Sequence, residues 1–351
     1  MNIPFSKPTI GQEETDAVIR TMRSGWLAAG PETEAFEQEF SDYISPPGEH
    51  YYCIFTNSCT SALKMAYKIM VEEAYAGWVD DRWEAPRRIR YPANTFCATY
   101  SAGREITDQW FKMEPYTTED EDGSGWRSVA VAYGGLKLGE NGWLPQLYPK
   151  LETLAPLYLE DSAHRIEPND LLVGKIRCYS FYATKNMTTG SGGMFVTNDK
   201  EIYEKARLYW RDGLSTSTHD RLNGKGHNYK VEVFSGGYDG NDIAAAIGRE
   251  QLKKLPSFTA RRNDIRDRFN AAFGKDWQGT HLYPFFVNTV EDVDDFIAHM
   301  KEGGVSCGYH YPGTGWKGVS LPIYPLLTNE EVDYIIKIVK SWKKYPLQIS
   351  V

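Results

Sequence analysis

"SFYATKNMTTGSGG", residues 180–193, decides how this 351-residue chain is read. It holds one lysine, Lys185, between serine, tyrosine and threonine on one side and three glycines on the other. The run "KIRCYSFY" (175–182) leads into it and reads as a buried strand. A solvated lysine needs no such surroundings. A lysine that must lose its proton and form a covalent imine does, because an amine is a nucleophile only when neutral and burial lowers its pKa. Taken singly, Lys185 reads as an ordinary solvated loop lysine.

Two further groups fall at predicted strand ends, where ligands sit in open parallel sheets. "TNSCTSAL" (56–63) follows the apolar run "YYCIFT" (51–56) and opens a helix. Free N–H groups and the helix dipole there favour a phosphate, and Thr60 and Ser61 offer hydroxyls. An ordinary helix cap has the same composition. In "LYLEDSA" (157–163), Asp161 ends a second apolar run, with His164 three residues on. A carboxylate in that position is costly unless paired, and a protonated ring nitrogen is one partner. A phosphate cup, an acid and a lysine, each at a strand end, together suit one cofactor, pyridoxal 5'-phosphate (PLP).

The rest of the pattern supplies the frame. "GQEETDAVIRTMRSG" (11–25), "PETEAFEQEFSDYI" (31–44), "NSCTSALKMAYKIMVEE" (57–73) and "DKEIYEKARLYWRDG" (199–213) read as helices, the second started by Pro31. "RSVAVAYGG" (127–135) and "GGMFVTND" (192–199) read as strands. Strands alternating with helices predict an α/β fold, a mostly parallel sheet covered on both faces. "EDEDGSGW" (119–126) reads as a surface loop and "LSTSTHDRLNGKGHNYK" (214–230) as a long functional or interface loop. From Asn241 the pattern is helical, then α+β. The boundary is set near Pro256, giving a large domain over 1–255 and a small C-terminal α+β domain over 256–351.

Composition narrows the classes. The chain is 41% hydrophobic and 25% charged, with a net charge of −8 and a pI of about 5.5. Nothing there draws it to nucleic acid or anionic lipid. No run approaches the ~20 apolar residues of a membrane helix, and the start lacks a signal-peptide core. Cys53, Cys59, Cys97, Cys178 and Cys307 lack CxxC spacing and the seven histidines form no HxxxH pair. A cytoplasmic protein with reduced thiols and no metal site is expected.

At these motifs the chain resembles the DegT/DnrJ/EryC1/StrS family of sugar aminotransferases over nearly its whole length. "RSGWLAAGPETEAFEQEF" is similar to the family's opening segment and "TNSCTSAL" to its phosphate turn. "PANTFCAT" (92–99), "EDSAHR" (160–165) and "SFYATKNMTTGSGG" match its aromatic, acid and lysine segments. "HNYK" (227–230), "AAAIGREQLKKL…RR" (244–262) and "HYP" (310–312) follow in register. The resemblance implies the type I PLP-transferase fold and a homodimer with active sites at the subunit interface. It implies that Lys185 holds PLP as an internal aldimine and shuttles the proton, and that Asp161 keeps the ring nitrogen protonated. Phe96 would stack on the ring, and His164, where the family has glutamine, would pack on its other face or reach its hydroxyl. Thr60, Ser61 and Ser180 would bind the phosphate, and Asn228 would reach the neighbouring subunit's cofactor. Trp26, Asn186 and Tyr311 stand as candidate substrate-side residues.

The implied reaction moves an amino group from glutamate or glutamine to a keto sugar, nucleotide-linked in this family. There are departures: Cys59 in the phosphate turn, Ser191 for glutamate, Lys230 for arginine. The region 111–135 looks trimmed, and only "GTGWKGVS" (313–320) separates "YHYP" from "LPIYPLLTNEE", which puts the sugar in question. Two other readings are a PLP-dependent sugar dehydratase, in which the family replaces the lysine by histidine, and a non-catalytic PLP-fold sensor or regulator. The presence of Lys185 opposes the first. The intact set of Lys185, Asp161 and phosphate hydroxyls opposes the second.

Overall fold

The fold is seen in a computed structural model. It describes residues 1–76, 87–92, 95–106, 111–115, 126–133, 136, 157–216, 218–222, 224, 228–311 and 317–345. The loop expected at 119–126 lies outside them except for Trp126.

Among the described residues the main sheet has seven strands: β1 (Tyr52–Thr56), β2 (Arg87–Tyr91), β3 (Phe111–Pro115), β4 (Trp126–Val131), β5 (Leu157–Asp161), β6 (Ile176–Ser180) and β7 (Gly193–Thr197). Their order is β1-β7-β6-β5-β4-β2-β3. The pairs from β6 through β5, β4 and β2 to β3 are parallel, and β7 runs antiparallel to both its neighbours. The sheet is thus mostly parallel, with "GGMFVTND" supplying the reversed strand. β2 and β3 carry no clean alternation and were not legible as strands.

Side chains alternate across the sheet, as a period of two requires. Ile54, Leu159, Cys178 and Phe195 pack with Leu63, Met70 and Ile202 from α3 (Cys59–Ala76) and, further along, α5 (Lys200–Trp210). Their neighbours Phe55, Tyr179 and Met194 pack on the other face with Phe36 and Phe40 of α2 (Pro31–Ile44) and Leu252 of α7 (Asp242–Phe273). The same alternation separates the adjacent acids of β5. Glu160 faces the α2/α7 layer, where Arg177 pairs with it at 2.7 Å and the N–H groups of Val173 and Gly174 donate to it. That leaves Asp161 on the α3 side at the strand's carboxyl end. Asp242 fixes α2 in place by accepting from the N–H groups of Gly30, Glu32 and Thr33 at its free N-terminus.

A second core joins Ile265 and Phe269 of α7 to a three-stranded sheet, β8 (Tyr283–Phe286), β10 (Gly318–Leu321) and β9 (Gly308–Tyr309), with α8 (Glu291–Glu302) and α9 (Asn329–Lys340). The helix α7 passes through Pro256 unbroken. Leu255 belongs to the first sheet's core and Ile265 to the second, so the chain changes core within one helix. Ile3 joins the second core and bridges Val305, so the N-terminal residues also belong to it. "GTGWKGVS" is not all connection: its last three residues open β10. The polar segment 214–230 holds a short helix, α6 (Thr218–Leu222), and a bridge from Leu214 to Val231.

Candidate active site

The carboxyl ends of β4, β5 and β6 converge on a cavity of about 340 Å³ between the two cores, lined by Val131, Asp161, Ser180 and Lys185 among others. Lys185 sits in the loop that follows β6. The hydroxyls and glycines of "SFYATKNMTTGSGG" fold that loop back on itself. Thr188 Oγ1 donates to the carbonyl of Phe181 at 3.1 Å, Phe181 N–H donates to Gly192 O at 2.9 Å, and Gly190 turns in the left-handed region at φ 82°. Lys185 keeps some exposure, and the surface it exposes lines the cavity. Burial lowers its pKa to about 8, against the opposing pull of Asp161.

Asp161 is buried. Its Oδ2 accepts from Thr99 Oγ1 at 2.7 Å, and its Oδ1 from the N–H of Ala163 at 3.1 Å. Since the Thr99 proton goes to Asp161, the 2.8 Å contact between Thr95 and Thr99 runs with Thr95 as donor. Burial still raises the pKa of Asp161. Two neutral donors orient this carboxylate without balancing its charge, which is the environment that a protonated ring nitrogen completes.

The rim at the start of α3 is polar. Ser58 Oγ caps the helix by accepting from Ser61 N–H at 3.2 Å, and Ser58, Cys59 and Thr60 line the cavity. Ser180, Ser191 and Gly192 also line it, and Ser191 Oγ donates to the carbonyl of Asn57 at 3.0 Å. Gly193 makes this approach possible: a Cβ there would stand 2.5 Å from the Cys59 nitrogen. First-turn N–H groups, three serines and a threonine form an anion cup at one end of the cavity. The residues therefore fit PLP: a cup for phosphate, an acid for the ring nitrogen and an amine of lowered pKa for the aldehyde.

Of the residues singled out from sequence, Thr60, Phe96, Asp161, His164, Ser180, Lys185 and Tyr311 line this cavity. Phe96 is 60% exposed. Tyr311 is held at φ 68°, a left-handed conformation that costs a non-glycine residue about 1–3 kcal/mol. Ser61 does not line it; its hydroxyl donates to Asn57 Oδ1 at 2.6 Å. Asn186 is buried behind Lys185, Trp26 packs on His219 at 5.1 Å, and Asn228 is exposed in the polar segment.

Residues that were not singled out complete the wall. His281 stacks beside His164 at 4.5 Å, and His310 contacts Ser320 Oγ at 3.0 Å. Burial holds all three imidazoles neutral, with His310 at about 4. Among the described residues no group of His, Cys, Asp or Glu is arranged to hold a metal ion. Arg262 and the N-terminal Phe5 also reach the cavity. Thr99, His310 and Arg262 lay inside quoted motifs, whereas nothing in the sequence marked His281 or Phe5.

A mostly parallel sheet with lysine, acid and anion cup at its carboxyl edge defines a PLP-type transferase. The profile of the DegT/DnrJ/EryC1/StrS aminotransferase family matches residues 8–105 and 159–317. The chain belongs to that family, and PLP is its cofactor. The spore coat polysaccharide biosynthesis protein SpsC of Bacillus subtilis is 28% identical over 387 aligned residues, covering 97% of this chain and 96% of SpsC. That alignment is longer than the 351-residue chain, so SpsC carries segments this chain lacks. Helicobacter pylori PseC, an aminotransferase involved in pseudoaminic acid biosynthesis, has the same fold, with a TM-score of 0.76 at 21% identity over 98% of this chain and 100% of PseC. So does an E. coli GDP-4-keto-6-deoxy-D-mannose-3-dehydratase, with a TM-score of 0.77 at 17% identity over 97% of this chain and 100% of that one.

Proposed function

We propose that the protein transfers an amino group from glutamate or glutamine to a keto carbon of a sugar carried on a nucleotide, with Lys185 as the amine that holds the cofactor. One observation carries this reading: Lys185, with its lowered pKa, and Asp161 face one cavity from the ends of adjacent parallel strands. The family, and the relative SpsC in spore coat polysaccharide biosynthesis, support a sugar as acceptor.

Bound PLP supplies the aldehyde that takes up the donor's nitrogen and a ring that accepts the electron pair released at the donor's Cα. The chain's residues do the rest. Asp161, oriented by Thr99 and Ala163, keeps the ring nitrogen protonated. Lys185 Nζ takes the proton from the donor's Cα and returns it to the cofactor side, which requires the amine to be neutral near working pH. Phe96 would stack on the ring, His164 would pack on its other face or reach its hydroxyl, and Ser58, Thr60 and Ser180 with the first turn of α3 would hold the phosphate. Neutral His164 and His281 add no competing positive charge beside the ring.

The active form is a homodimer in which Asn228 reaches the neighbouring cavity. In support, the segment after α6 exposes Tyr229, Val231 and Phe234, the last at 96%, more apolar surface than an isolated polar loop carries. The dehydratase neighbour shares the fold, but its chemistry is opposed here by the lysine at 185. Absorption spectroscopy tests the reading. The PLP-loaded protein shows a visible band, and excess L-glutamate converts it to the shorter-wavelength pyridoxamine form with one equivalent of 2-oxoglutarate released. A band that ignores both glutamate and glutamine overturns the donor assignment.

A further inference from the structure

A buried cation without an anion stands beside Lys185. Arg262, from α7, is 4% exposed and lines the cavity. Its Nη1 donates to the carbonyl of Asn186 at 3.0 Å and its Nη2 to the carbonyl of Lys185 at 3.3 Å. Both partners are neutral. Its Nε has no hydrogen-bond partner among the described residues. Among the described residues the other buried guanidinium, Arg177, faces Glu160 and Asp170, and the half-buried Arg207 faces Glu37. Acids raise the pKa of those two, whereas burial alone lowers that of Arg262 to about 10. Nearby His281 and His310 are neutral and supply no negative charge. A buried charge is stable when an opposite charge meets it, and Arg262 lines both this cavity and a cleft of only about 10 Å³ beside Asn186.

We propose that Arg262 binds the α-carboxylate of the amino donor. The inference rests on the aminotransferase reading and adds where the donor is held. During transfer the donor's nitrogen takes the position of Lys185 Nζ, and its α-carboxylate is one carbon away from that nitrogen. The cation that receives it must therefore face the same cavity as the Lys185 amine, and Arg262 lines that cavity and donates to the backbone carbonyl of Lys185. Phosphates of a sugar nucleotide lie beyond the sugar ring, many bonds from the reacting carbon, and call for a cation further out. Two of the five guanidinium N–H groups are spent on the loop carbonyls, which fixes the head group. Of the other three, the Nε–H is buried, which leaves the second N–H of each Nη for a ligand.

The test compares donors that differ in one carboxylate. Stopped-flow spectra of the PLP-loaded protein follow L-glutamate, L-glutamine (no side-chain carboxylate) and L-isoglutamine (no α-carboxylate). Wild type is expected to use isoglutamine on the order of 10²-fold less efficiently than glutamate. In Arg262→Gln the rate with glutamate falls by a similar factor, isoglutamine is unchanged, and the preference disappears while the visible band stays. Arg262→Lys, which keeps the charge, restores part of the preference and serves should the glutamine variant not fold. Retention of the wild-type preference in both variants, or wild type that takes isoglutamine as well as glutamate, overturns the proposal. So does loss of inhibition by pyrophosphate in Arg262→Gln with donor preference intact, which assigns the arginine to a phosphate. Wild type unresponsive to all three donors refutes instead the donor assignment on which the inference rests.

Discussion

The lowered pKa of Lys185 makes a quantitative prediction about cofactor capture. At its ordinary value of 10.5, roughly one amine in three thousand is neutral at pH 7. At about 8, roughly one in ten is. The pocket thus raises the nucleophilic fraction about 300-fold at neutral pH, through burial set against the charge of Asp161. Apo-protein mixed with PLP between pH 6 and 10, followed by growth of the visible band, reads this fraction directly. The rate should climb about tenfold per pH unit below pH 8 and level off above it. Asp161→Asn removes the charge that holds the ammonium form in place, so the levelling point should fall below that of wild type. A rate still climbing tenfold between pH 9 and 10 would mean that the amine is solvated like any surface lysine. An Asp161→Asn profile at or above that of wild type would mean that the two groups do not interact.

Three other outcomes follow from the same geometry. The folded pKa of Lys185 lies below its unfolded value, so the unfolded chain binds more protons between pH 8 and 10.5 and this group's penalty is largest below pH 8. Apo Lys185→Met should therefore be more stable than wild type at pH 7, by at most about 3 kcal/mol in urea titrations, with the gap closing by pH 10.5. Glu160→Gln should destabilise the fold, by less than the about 3–5 kcal/mol of a fully stranded buried charge because Asp170 still pairs with Arg177, yet leave the visible band of loaded protein unchanged, since Glu160 faces away from the cavity. Phe234→Asp should shift the protein from dimer to monomer in sedimentation and lower activity. A dimer of wild-type strength would place the interface elsewhere.

The sequence was most legible where one local rule acted alone. "LYLEDSA" announced both a buried strand and the acid at its end, because alternation sends Glu160 and Asp161 to opposite faces. The lysine loop was readable because its threonines and glycines serve the backbone turn as well as the site. Other features needed the third dimension. β2, read through "RRIRY", has three arginines in a strand whose place is set by its parallel neighbours. The boundary set near Pro256 falls inside one continuous helix, whose Leu255 packs in the first sheet's core and Ile265 in the second. Ser61 and Thr60 looked equivalent in sequence, but consecutive helical residues point about 100° apart, so only Thr60 faces the cavity. His281 reaches the site from the second core, about a hundred residues after Lys185, and no local pattern ties the two together.

The account stands on Lys185 as the cofactor's attachment point, and one measurement addresses that directly. Protein loaded with PLP is reduced with borohydride, which fixes the cofactor to whichever amine holds it, then digested and mapped by mass spectrometry. The account predicts a single pyridoxyl group, on the peptide that carries Lys185. A label on a different lysine, or loaded protein that takes no label, would contradict it.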